Sequence, residues 1–108
     1  MSIDKTKLIE EFDEAMLSIY QRALKEAKYP AIRFFTMLNE HRGIGTARLL
    51  IHSANVSEGY TALWQRGRLD LTVEAMISDN PRWHDLFTEE ELLICKERLT
   101  AYEYYLNT

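Results

Sequence analysis

The sequence predicts an all-α protein, a compact bundle of five to seven helices in which the first and last are long. Three observations carry this expectation. Apolar residues recur at spacings of three and four along most of the chain. Residues that start and stop helices fall between those runs. No alternating strand pattern and no Asn-Gly or Asp-Gly hairpin signal interrupts them. At 108 residues, 46% hydrophobic and 28% charged, the chain has the composition of a single folded domain over 1–108, with no room for a second of ordinary size.

Each element has its own warrant. Ile9, Phe12, Met16, Ile19, Tyr20, Ala23 and Ala27 share one helical face and predict a first helix from about Lys5 to Lys28. Asp4 is its expected N-cap, with Ile3 and Leu8 as a hydrophobic staple, and Pro30 ends it. A second helix, about Pro30 to Arg42, turns Ala31, Phe34, Phe35 and Leu38 inward and stops at Gly43. Gly43 to Thr46 then reads as a turn, with Thr46 capping a helix that carries Ala47, Leu50, Ile51 and Ala54. Asn55 and Ser57 reset the chain into a short helix bearing Tyr60, Leu63 and Trp64, closed by Gly67.

Asp70 is the expected cap of a helix from Leu71 to Ser78, and Asn80-Pro81 opens one more helical turn holding Trp83, Leu86 and Phe87. The most specific local signal is Thr88 with Glu91, a capping box, flanked by Phe87 and Leu92 in staple positions. The last helix starts there. Its seam of Leu92, Cys95, Leu99, Tyr102 and Leu106 is expected to pack along the first helix or against a partner.

Candidate chemistry is sparse. Cys95 lies on the inward seam, where a lone cysteine behaves as a small apolar residue. His41, His52 and His84 fall in three separate elements without the i, i+4 spacing of a helical zinc site, so neither a metal nor a cofactor is expected. Asp70 and Glu74 stand four apart on one helical face, a geometry open to acid–base work with His52 or His84, or to a divalent cation. The same carboxylates suit a helix start, with Arg66 and Arg68 as ion-pair partners. No catalytic residue is assigned, and a non-enzymatic protein is expected.

Charge is uneven. The whole chain carries −4, yet Pro30 to Leu69 holds five arginines, Arg33, Arg42, Arg48, Arg66 and Arg68, against Glu40 and Glu58 alone. Arginine's planar fork suits phosphate and carboxylate, so these five are candidate anion- or partner-binding residues. The net acidity works against broad nucleic-acid binding, which draws on a large basic face. The turn Gly43-Ile44-Gly45 resembles that of a helix-hairpin-helix motif, but Ala47 follows the second glycine by two positions where a small residue is usual at four, and no lysines stand nearby. Trp64, Tyr102, Tyr104 and Tyr105 are the interface candidates, because the three tyrosines spread around one helix and cannot all face inward.

The segment Leu63-Trp64-Gln65-Arg66-Gly67-Arg68-Leu69-Asp70-Leu71-Thr72-Val73-Glu74, continuing to Leu86-Phe87-Thr88-Glu89-Glu90-Glu91-Leu92, resembles a pattern in a family of small, uncharacterised bacterial helical proteins. The resemblance spans roughly the last half of the chain and implies a bacterial cytosolic helical domain, with no activity attached. No apolar run approaches the roughly 20 residues of a membrane span, and the first residues lack the apolar core of a secretory leader. The expectation is a cytosolic regulatory or accessory module that binds another protein or itself, without membrane contact. A nucleic-acid-associated role through the arginine-rich middle is the alternative.

Overall fold

The computed structural model describes residues 5–107, with side chains to Tyr105, and shows an all-helical, compact fold. Five α-helices, α1 (Lys5–Ala27), α2 (Ile32–Ile51), α3 (Glu58–Gln65), α4 (Val73–Ser78) and α5 (Glu89–Ala101), are joined by short turns. Two of those connections contain 3-10 turns, at Leu69–Leu71 and Pro81–Leu86, and a third 3-10 turn, Tyr104–Asn107, follows α5. The expected Asp4 cap and Ile3 staple lie outside the described residues. No helix among the described residues is long and apolar enough to cross a membrane.

The first helix buries Phe12, Met16, Ile19 and Ala23. Ile9, read as part of the same face, is 38% exposed. The helix stops at Ala27 because Lys28 takes a left-handed conformation (φ 55°) and the Tyr29 N–H donates back to the Ala23 carbonyl at 3.0 Å. The bond spans one residue more than a Schellman closure, which would reach Leu24, and lysine holds the left-handed position where glycine is commoner.

The second helix corrects the expected turn at Gly43–Thr46. It runs on to Ile51 with a kink at Arg42 (φ 60°, ψ −173°). The second half begins at Gly43, whose N–H donates to Asp13 Oδ1 at 2.8 Å, so a carboxylate on α1 does the work of an N-cap. Thr46 is no cap; it is fully buried. Two α1–α2 contacts, Asp13 to Gly43 and the stacked rings of Tyr20 and Phe35 at 4.8 Å, fix the pair as an antiparallel hairpin. Phe35, expected inward, lies on the outside of this hairpin at 38% exposure.

Ser57 caps α3, accepting from the Tyr60 N–H at 3.0 Å, and Gly67 closes it at φ 69°. Thr72, not Asp70, caps α4. Residues 69–71 form a 3-10 turn, Thr72 has the extended backbone a cap needs, and its hydroxyl accepts from the Ala75 N–H at 3.1 Å. Asp70 instead faces Arg68, with which it shares bonds of 2.9 and 3.0 Å. The capping box of α5 is present in full: Thr88 Oγ1 accepts from the Glu91 N–H and Glu91 Oε1 accepts from the Thr88 N–H.

The main core gathers Phe12, Met16, Ile19, Ala47, Ile51, Ile77 and Cys95 around an aromatic cluster. Phe12 meets Trp83 and Phe87 edge-on at 5.3 and 5.4 Å, the arrangement ring quadrupoles favour. The last helix ends at Ala101 and packs chiefly on α4 and α2, not along α1 as its seam suggested. Leu106 has no described side chain, and the seam reduces to Cys95 and Leu99, both fully buried, with Leu92 and Tyr102 half-buried.

Candidate functional site

The two carboxylates expected to share a helical face separate. Asp70 is exposed, whereas Glu74 is 3% exposed and faces Arg98, a residue the sequence did not single out. Arg98 Nη1 donates to Glu74 Oε2 at 3.1 Å and to the Leu50 carbonyl at 3.0 Å, while Nη2 donates to the carbonyls of Ile51 and Ser53 at 3.1 and 2.7 Å. One guanidinium therefore ties α4 and α5 to the carbonyl end of α2, where a cation is favoured. Burial holds the Glu74 carboxyl above the usual carboxylate range, against the pull of its own backbone N–H and of Arg98.

A second buried carboxylate, Glu91, completes the α5 capping box and also meets His52 Nε2 at 2.7 Å and Arg48 Nε at 3.3 Å. Burial pushes its pKa up, but the Thr88 N–H, His52 and Arg48 outweigh it and the net shift is downward. A carboxylate held low in the folded state stabilises above its unfolded pKa of about 4.3 and loses that stabilisation on further acidification. Glu91→Gln is expected to cost about 1–2 kcal/mol near neutral pH. Its unfolding midpoint should converge on that of the wild type near pH 3. A gap independent of pH, read by urea titration at several pH values, would contradict the assignment.

The remaining chemistry-bearing groups lie apart. His84 Nε2 is 3.0 Å from the Ile77 carbonyl, whereas His52 meets Glu91, so the two histidines have different partners. His41 is exposed beside Glu40. Cys95 is fully buried, and desolvation pushes its thiol up to about 12, which suits packing and not thiolate chemistry. Among the described residues, no cluster of His, Cys, Asp and Glu is placed to hold a metal ion.

Four of the five arginines singled out from composition have intramolecular partners. Arg33 reaches Glu58 at 3.3 Å in a fully solvated pair. Arg48 donates to the Leu86 carbonyl and pairs with Glu91. Arg66 caps the end of α1 by donating to the Ala27 carbonyl at 3.1 Å, its guanidinium lying over Tyr29. Arg68 bridges Glu26 and Asp70. Arg42, at the kink, is exposed.

The expected interface aromatics are also partly engaged. Tyr102 is wedged edge-on between Tyr60 and Trp64, at 5.0 and 5.3 Å, and the Tyr104 hydroxyl donates to Asp79 at 2.6 Å. Trp64 and Tyr105 keep 46% and 37% exposure.

One concavity was not foreseen. It is a cleft of about 360 Å³ between α1, α3 and both halves of the kinked α2. Phe34 and Met37 line it from before the kink, Leu49 and Leu50 from after it, and Tyr20 and Leu63 from the flanking helices. Glu74 lies at its base, already paired, and the Arg33–Glu58 pair stands on its rim. Asp70, His52 and His84 are not among its lining residues, so the acid–base constellation considered from sequence is not assembled there. The sequence signal that could have located the cleft is the phase change at Gly43: Phe34 and Met37 face the same space as Leu49 and Leu50 only because the helix bends between them.

No family model, curated protein or solved structure matches this chain.

Proposed function

We propose that this chain is a non-enzymatic helical interaction module, a cytosolic accessory protein whose recognition site is the apolar cleft at the kink of α2. The observation that carries this reading is the lining: Phe34, Met37, Leu49 and Leu50 around about 360 Å³, a volume in the range of ligand clefts. The charged groups at its base and rim are each paired, so nothing there selects an ionic substrate. Its occupant is an apolar side-chain cluster presented by another protein, as when an amphipathic helix lays its apolar face into a groove. Engagement of Arg48, Arg66 and Arg68 by carboxylates and carbonyls leaves less of the arginine-rich middle for a nucleic-acid backbone.

The test is selection of binding peptides from a displayed random library, followed by affinity measurement against Leu49→Glu. Leu49 is 50% exposed, so a charge there leaves stability nearly unchanged. Selected peptides are expected to be amphipathic and to bind the variant at least about tenfold more weakly, roughly 1.4 kcal/mol. Failure to select any peptide, or equal binding to the variant, counts against the cleft.

A further inference from the structure

We infer that the outward stripe of α1 is a self-association surface on which a second copy of this chain docks antiparallel. The stripe follows from spacing. Glu10, Leu17 and Leu24 recur every seven residues, and Glu14 and Gln21 repeat the same interval beside them, so all five share one helical side. That side is opposite in use to the buried Phe12, Met16 and Ile19: Leu17 and Leu24 are 38% and 46% exposed. Phe35, stacked on Tyr20, widens the apolar part.

Charge along the stripe changes from net acidic to basic, with Lys7, on the same side as Lys25, offsetting part of the acidic end. Glu10 and Glu14 stand before the leucines, Lys25 beside Leu24, and Lys28 just past the helix. None of these four has an ion-pair partner among the described residues. Their neighbours on other sides of α1 do: Glu11 with Arg82, Arg22 with Glu26, Glu26 with Arg68, while Asp13 accepts from Gly43. The fold thus pairs the charges that flank the stripe and, among the described residues, leaves those on it without an ion-pair partner.

A surface net acidic at one end, apolar in the middle and basic at the other complements itself best when inverted. With Leu17 level with Leu24 of the second copy, Glu14 falls level with Ala27 of that copy, between its Lys25 and Lys28. A two-fold axis repeats both contacts, as an isologous dimer requires. Parallel pairing would set acid against acid. This inference deepens the interaction reading by naming a partner, but it uses a different surface from the cleft. The Leu49→Glu and stripe variants therefore fail independently.

Sedimentation equilibrium at low ionic strength, up to about 1 mM protein, is the experiment, because a single-helix contact gives modest affinity and exposed charges are screened by salt. The wild type is expected to dimerise. Glu10→Lys with Glu14→Lys, and separately Lys25→Glu with Lys28→Glu, are each expected to weaken dimerisation at least about tenfold. An equimolar mixture of the two variants is expected to recover it, since every facing pair is again opposite in sign. A wild type that stays monomeric, variants that dimerise as tightly as it does, or a mixture that fails to recover would each overturn the inference.

Discussion

Arg98→Ala is expected to destabilise the protein by about 3–5 kcal/mol, because it leaves a buried carboxylate without its counter-charge. The loss has two parts. Glu74 at 3% exposure keeps only its own backbone N–H, and the carbonyls of Leu50, Ile51 and Ser53 lose their side-chain donor at the end of α2. The parts separate by pH. Burial raises the Glu74 pKa, and without Arg98 it rises further, so the folded variant binds a proton that the unfolded chain releases above about 4.3. Stability of the variant is then retained at low pH and lost as pH rises toward the folded-state pKa. The gap to wild type should widen between about pH 4 and pH 7. Glu74→Gln in the Arg98→Ala background should remove that widening and leave the constant part due to the α2 carbonyls. Guanidinium titrations, with slope compared as well as midpoint, decide this; a gap flat in pH would mean that Arg98 does not lower the Glu74 pKa.

What was legible in the sequence divides along physical lines. Local rules worked where one short segment contains both partners. Thr88 and Glu91 satisfy each other within a single turn, and Gly67 supplies its own positive φ. Cys95 on an apolar seam sits in the core because its burial follows from period alone. Asp70 shows where such rules end: both Asp70 and Thr72 are good capping residues, and the choice was made by the 3-10 turn at Leu69–Leu71 and by Arg68, which holds the Asp70 carboxylate. Arg98 was invisible for a stronger reason. Its four acceptors lie at Glu74 and at residues 50–53, so neither its burial nor its role is encoded near it in the chain. The arginine-rich middle is the converse case, since composition counts charges but not directions, and several of those guanidinium groups point at carbonyls and carboxylates of the same molecule. The cleft depends on a backbone bend, and beside the bend lies a contact between residues thirty apart in the chain.

That contact makes Gly43 the second position of large effect. Gly43→Ala is expected to destabilise by about 2–3 kcal/mol, toward the upper end for overpacking, although alanine is the better helix former by roughly 1 kcal/mol in isolation. A Cβ at this position would lie 2.7 Å from Asp13 Oδ1, 3.0 Å from the Phe12 ring and 3.2 Å from the Asp13 Cα. The carboxylate could rotate away, at the cost of the 2.8 Å bond that caps the second half of α2. The Asp13 backbone cannot, so α1 and α2 must separate, and the strain reaches Phe12 at the centre of the aromatic cluster. Asp13→Ala separates the two effects: it removes the cap alone and should cost about 1 kcal/mol. If the bend of α2 is held by that contact, Gly43→Ala should also weaken peptide binding at the cleft, whose two walls meet across the kink, while Asp13→Ala does so to a smaller degree. Thermal unfolding of both variants beside their peptide affinities tests the coupling. A Gly43→Ala protein as stable as wild type would show that glycine is present there only as a helix punctuator, as the sequence by itself suggested.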